Sequence, residues 1–132
     1  MLNTVTSTEN QKNPKQMSGR ELADFCAQLA FEKQATNVVL LDLQGRSTIA
    51  DYFLVMSAGS APQVQAIAEN IMKPLKNSGW KNFHEEGVAD GRWGLLDLGD
   101  VVVHIFQDYM REFYNLEGLW QDAPRIRIEE KR

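Results

Sequence analysis

Two runs, NVVLLDL at residues 37–43 and DYFLVMSA at residues 51–58, are apolar almost without interruption. Side chains along a strand point alternately to the two sides of its sheet, so a strand that is apolar throughout needs both faces covered. The chain therefore has to build a sheet with helices packed on it, and the segments around these runs have the pattern to supply them. At 132 residues and 43% hydrophobic content there is material for one such domain with its own core, and not for two.

The first covering helix begins at Ser18, because Ser18 and Glu21 have the spacing of a capping box, in which each side chain satisfies the other residue's orphan amide. Leu22, Phe25, Cys26, Leu29 and Ala30 follow at helical spacing and share one face for burial. Gln44, Gly45, Arg46 and Ser47 form the turn after the first strand. After the second strand, Ser60 and Gln63 repeat the capping spacing and open a helix that buries Val64, Ile67, Ala68, Ile71, Met72 and Leu75. Pro74 removes a backbone donor, which predicts a kink there or an early stop before Asn77, Ser78 and Gly79.

Residues 80–87 read as a strand or extended loop, and Glu85, Glu86, Gly87, Asp90 and Gly91 lead into a hairpin. Its strands are residues 92–97 and 100–106, joined at Leu98 and Gly99, where glycine can take the positive φ of a tight turn. Asp108 is the expected N-cap of a third helix running to Trp120. Residues 1–16 are polar and read as a disordered tail, and 124–132 as a charged tail, so the domain proper is placed at 17–123. The alternation Arg125, Ile126, Arg127, Ile128 allows at most an edge strand.

No apolar run is long enough to cross a bilayer, and the N-terminus lacks the basic-then-apolar order of a secretory signal. The lone Cys26 cannot form an internal disulfide and no Cys/His cluster has zinc spacing, which fits a protein of the cytoplasm without metal or other cofactor. Gly59 and Ser60 feed a helix and could hold an anion, as in nucleotidyltransferases, where a nearby Asp-x-Asp on a strand completes the site. Asp97 and Asp100 instead have the spacing of a turn, so an unliganded helix cap is the stronger reading and a nucleotide-binding or residual nucleotidyltransferase domain is the alternative. His104 lies among Val102 and Phe106 on its own strand face, which predicts a hydrogen-bonded structural residue.

Charge is distributed unevenly. Residues 81–122 hold nine Asp and Glu against Lys81, Arg92 and Arg111. An acidic face disfavours direct contact with nucleic-acid backbones and favours a basic protein. The third helix carries more apolar side chains than one buried stripe can use: Tyr109, Met110, Phe113, Tyr114, Leu116, Leu119 and Trp120. With Arg111, Glu112 and Glu117 beside them they have the composition of a protein-binding surface, and equally the bulk to close a small core.

ADYFLVMSAGSAPQVQAIAENI, then EEG, then WGLLDLGDVVVHIFQDYMREFYNLEGLW, taken in order and at this spacing, resemble the Iojap-like ribosomal silencing factor family over residues 17–123. Leu98 departs from that pattern, standing where an aromatic residue is common. The resemblance implies an α/β (α+β) fold, a mixed β-sheet flanked by helices, nucleotidyltransferase-like without the catalytic carboxylates. It implies no enzymatic activity and a translational repressor that binds the large ribosomal subunit through its fourteenth-numbered protein, a basic ribosomal protein. The small subunit is thereby blocked from joining when nutrients are short. It further implies no sequence-specific nucleic-acid binding, no membrane association and a possible homodimer. Carried over, the partner-binding residues are Trp93, Asp97, His104, Phe106, Tyr109, Arg111, Phe113, Tyr114, Glu117 and Trp120, supported at a strand end by Asp51 and Tyr52.

Overall fold

The apolar runs become β1 (Thr36–Asp42) and β2 (Tyr52–Ala58), which pair antiparallel in a computed structural model describing residues 13–131. Every residue of β2 is buried. Its other neighbour is β5 (Val101–Gln107), which runs parallel to it with Tyr52 beside Val101 and Leu54 beside Val103. Adding β3 (His84–Glu86), β4 (Trp93–Asp97) and β6 (Arg125–Arg127) gives a mixed six-stranded sheet in the order β3-β4-β5-β2-β1-β6. The N-terminal tail lies outside the described residues as far as residue 12, and Pro14–Gln16 form a single 3-10 turn.

One face of the sheet is covered by α1 (Gly19–Phe31) and α2 (Ala61–Asn77), which bury an aliphatic core with Leu54, Met56, Val101, Val103 and Ile105. The capping box at α1 forms: the Ser18 hydroxyl accepts from the Glu21 amide at 3.2 Å and the Glu21 carboxylate from the Ser18 amide at 2.9 Å. The buried stripe of α1 is centred on Leu22, Ala23, Cys26, Ala27 and Ala30, with Phe25 and Leu29 half-buried at its margin. α2 does not stop before Asn77. It continues to Asn77, because the fully buried Leu75 anchors the last turn and the end is closed by backbone bonds from Trp80 to Leu75 and from Gly79, at φ +86°, to Lys76.

The hairpin turns at the predicted place, with the Leu98 amide donating to Val101 at 2.9 Å and Gly99 at φ +92°. On the second face of the sheet lie α3 (Asp108–Tyr114) and α4 (Leu116–Leu119), where one helix to Trp120 was expected. Asn115 adopts the left-handed conformation, φ +48° and ψ +50°, and breaks the helix. Asparagine tolerates that region better than any residue but glycine. Asp108 is not the N-cap either. The strand extends to Gln107, which takes the cap position without a side-chain bond, and Asp108 falls in the first turn. The edge strand in the C-terminal segment forms as β6, with Ile126 opposite Leu40 and Ile128 buried beyond it.

Candidate functional site

The second face is aromatic. Trp93 from β4 stacks on Phe106 of β5 with centroids 4.9 Å apart and meets Tyr114 of α3 at 4.7 Å. His104, one strand position pair away from Phe106, sits edge-on to Phe53 at 4.5 Å, and Phe53 in turn meets Trp120 edge-on at 6.1 Å. Such pairs contribute beyond their buried area, roughly 0.5–1.5 kcal/mol each, and they fix the rings in place. The result is a rigid aromatic layer beneath α3 and α4.

His104 belongs to the interior of that layer, being 3% exposed. The Trp93 indole donates to its Nδ1 at 3.1 Å, so the neutral ring carries its proton on Nε2. Burial pushes its pKa down to about 4, and the ring stays uncharged at neutral pH. Phe106 is fully buried as well, and Trp93 and Trp120 are half-buried.

Outside this layer, α3 presents Tyr109, Phe113 and Tyr114 to solvent at 63%, 76% and 45% exposure. Tyr109 and Phe113 are four residues apart and therefore neighbours on one helix face. Asp108 and Glu112, both exposed, flank them with negative charge. Leu119 of α4 and Ile49 of the loop after β1 are also exposed large apolar residues. The periodicity of 108–120 gave no way to separate Leu119 from the core residues around it, and Ile49 stands in a polar loop with no pattern.

Arg111 points the other way and is used inside the molecule. Its Nε and Nη2 donate to the two Glu117 carboxylate oxygens at 2.9 and 3.1 Å, and Nη1 donates to the Asn37 carbonyl at 2.6 Å and to the Ser57 hydroxyl at 2.9 Å. This bidentate geometry is open to arginine and not to lysine. The hydrogen bonds from Arg111 hold the Glu117 carboxyl below the usual carboxylate range. Residues six apart do not face each other on a continuous helix, so the break at Asn115 is what lets Arg111 reach Glu117. A β-carbon on Gly118 would meet the side chain of the exposed Asn115, which would have to shift to admit it. Asn37, at φ +49° where the β1–β2 register slips, turns its carbonyl to the same guanidinium. Neither Asn37 nor Ser57 could be linked to Arg111 from sequence, since the contacts span most of the fold.

The remaining candidates lie at the far end of the hairpin. Asp97 accepts from the Gly99 amide at 2.9 Å and shapes the turn. The amides of Asp51 and Tyr52 both donate to the Asp100 carbonyl, at 2.9 and 3.0 Å, fixing the start of β2 to the same corner. The Gly59–Ser60 turn is filled by its own helix: the Gln63 side chain accepts from the Gly59 amide at 2.6 Å, and the Ser60 hydroxyl accepts from the Gln63 amide at 3.2 Å. Gln63 also donates to the Lys33 and Gln34 carbonyls at 3.0 Å, so displacing it would unfasten the end of α1. Burial pushes the Cys26 thiol up to about 12, which leaves it an inert core residue.

Residues 16–132 match the family described as ribosomal silencing factor during starvation. The chain belongs to this family. It is 44% identical over 113 residues to the ribosomal silencing factor RsfS of Halalkalibacterium halodurans, covering 86% of this chain and 97% of that one. It is 34% identical over 105 residues to the chloroplastic protein Iojap of Zea mays, covering 77% of this chain and 44% of the longer plant protein. A crystal structure from Chromobacterium violaceum superposes with a TM-score of 0.75 at 28% identity, over 80% of this chain and 88% of that one. One from Bacillus halodurans gives 0.72 at 39% identity, over 83% and 99%. Both solved structures thus share this chain's overall fold over most of its length.

Proposed function

We propose that this chain represses translation from the cytoplasm by binding the large ribosomal subunit through its fourteenth-numbered protein and occluding the surface on which the small subunit docks. The observation that carries the reading is the set of exposed aromatics on α3, Tyr109, Phe113 and Tyr114, bordered by Asp108 and Glu112 and backed by a packed aromatic layer. Exposed rings that are already ordered contribute contact area at little entropic cost, and acidic neighbours steer a basic protein into register. Trp93 and Phe106 support Tyr114 from below and Phe113 packs edge-on against Tyr114, Arg111 and Glu117 hold α3 against α4, and Trp120 and Leu119 extend the face. Asp97, Asp51 and Tyr52 brace the far corner of the sheet.

Occlusion needs no nucleophile, metal or cofactor. Among the described residues no helix is long and apolar enough to cross a membrane, and no three His, Cys, Asp or Glu gather as metal ligands. The test is subunit joining followed on sucrose gradients. Added protein should co-sediment with purified large subunits and reduce the 70S peak; absence of co-sedimentation at low salt would sink the proposal. A second copy of the chain is the competing occupant of the same face, and sedimentation velocity across a concentration series separates the two outcomes.

A further inference from the structure

α3 is too short to hold its own direction. Isolated helices below about 12 residues are marginal in water, and this one has seven, of which only Met110 is buried. What fixes it is Arg111. Among the described residues no other side chain of α3 hydrogen-bonds a neighbouring element. Residues two apart on a helix point to opposite sides, so Arg111, between Tyr109 and Phe113, is pinned on the side away from them. Where the guanidinium is held therefore sets where the two rings point.

Two of the guanidinium's anchors lie outside the helical layer. β1 and β2 pair Thr36 with Ser57 and Val39 with Val55, so three steps along β1 match two along β2, and β1 carries one extra residue. Asn37 stands in this bulge at φ +49°, and a bulge leaves main-chain groups out of the ladder. Its carbonyl accepts from Arg111 Nη1 at 2.6 Å, and the hydroxyl of Ser57, buried at 3% exposure, accepts from the same nitrogen at 2.9 Å. Val38, next in the bulge, gives its carbonyl to the Ile128 amide at 2.9 Å and so fastens β6. Asn37 itself is exposed, and its main chain makes the contact. A left-handed main chain is what glycine adopts freely, asparagine tolerates and a β-branched residue resists.

We infer that Asn37 and Ser57 are positioning residues for partner binding: through Arg111 they set the direction in which α3 presents Tyr109 and Phe113. This role rests on the proposed reading of α3 as the recognition helix. Neither residue has to touch the partner. A bulge that served only the twist of the sheet would leave α3 indifferent to the residue at 37. A bulge that seats Arg111 makes α3 depend on it. A β-branched residue there disfavours the left-handed turn, so the fraction of molecules with the guanidinium seated falls, and apparent affinity falls by the same fraction.

The experiment uses the full chain with Asn37→Gly, Asn37→Val or Ser57→Ala, and Asn37→Val in the Arg111→Met background. Affinity for purified large subunits is measured per folded molecule, and amide hydrogen exchange is followed across residues 111–119. Asn37→Val is expected to bind about tenfold more weakly and to exchange faster at 111–119 while α1 and α2 keep their rates. Asn37→Gly is expected to match the wild type in both. Ser57→Ala, which fits the same space, is expected to exchange faster over the same residues and to lose affinity several-fold, and it decides the matter should the valine variant not fold. In the Arg111→Met background the valine is expected to add nothing, because its route to α3 is already gone. Wild-type affinity in folded Asn37→Val or Ser57→Ala, a glycine variant as weak as the valine one, or additive losses from Asn37→Val and Arg111→Met would each overturn the assignment. If the wild type does not bind subunits, the ribosomal reading fails, and exchange at 111–119 still decides: faster exchange in the valine and alanine variants supports the positioning role, and unchanged exchange overturns it.

Discussion

The two faces of the sheet solve the same packing problem with different residues. Under α1 and α2 the contacts are aliphatic, and Leu54, Ile67, Ile71, Leu75, Val103 and Ile105 are all fully buried. Under α3 and α4 the layer is built from Trp93, His104, Phe106, Phe53 and Trp120, and large apolar residues are left in solvent on top of it. An aliphatic face seals itself when its stripe is covered. The aromatic face, with two short helices over it, holds rings rigidly and leaves others uncovered, which is what a docking surface requires. The proposed function gives stability to the first face and recognition to the second, and substitutions can break that division.

The largest loss of stability is expected on the closed face. Ile71→Ala should cost about 2–5 kcal/mol in chemical denaturation, while folded protein binds large subunits as the wild type does. If binding per folded molecule also fell, the two faces would not be separable. Next comes Arg111→Met, which removes the bonds to Glu117, Asn37 and Ser57 together. Bonds to a charged partner contribute about 1.5–3 kcal/mol each when removed singly. The variant should therefore lose stability of that order and also weaken subunit binding, because α3 and α4 are no longer held together. Arg111→Lys should recover little of either.

A further effect is readable in the pH dependence of unfolding. His104 titrates near 6.5 when unfolded and near 4 when folded, so the unfolded chain takes up a proton first as pH falls. Its contribution is complete above pH 6.5, declines as pH drops toward 4 by at most about 1.4 kcal/mol per pH unit, and changes no further below that. His104→Gln, which keeps an acceptor for Trp93, should remove this window. Glu117, whose folded pKa is depressed, has the same sign at lower pH: its stabilisation is present above the ordinary carboxylate range and is lost as pH falls through the folded pKa. Urea midpoints across this range should show the His104 step in the wild type and its absence in the variant.

The closed face was the more legible in sequence. Its strands are uninterrupted apolar runs and its helices carry serine caps and apolar stripes, signals that local residues supply and tertiary packing reinforces. A sheet with helices on both sides and the turn at Leu98 and Gly99 were readable for the same reason, while the mixed pairing of its strands followed only from the family resemblance. On the open face the local signals were ambiguous. The apolar spacing from Tyr109 to Trp120 continues through Asn115, so nothing in the pattern marks a break that depends on a left-handed residue. Of the two outcomes offered for Pro74 the early stop does not occur, because the burial of Leu75 outweighs one missing hydrogen bond near a helix end. Arg111 lay within the matched motif as a contact residue, and only the fold shows its donors turned inward.

The smallest stability effect and the largest effect on binding belong to the same residues. Changing Tyr109 and Phe113 together to alanine should shift the unfolding free energy little, within roughly 0.5 kcal/mol per residue as for exposed side chains. The direct test of recognition at the open face is therefore the affinity of this double variant for purified large ribosomal subunits, beside its thermal midpoint. The account predicts an unchanged midpoint with binding weakened about thirtyfold or more, as expected for two aromatic anchors. Wild-type affinity in a variant that melts like the wild type would contradict it.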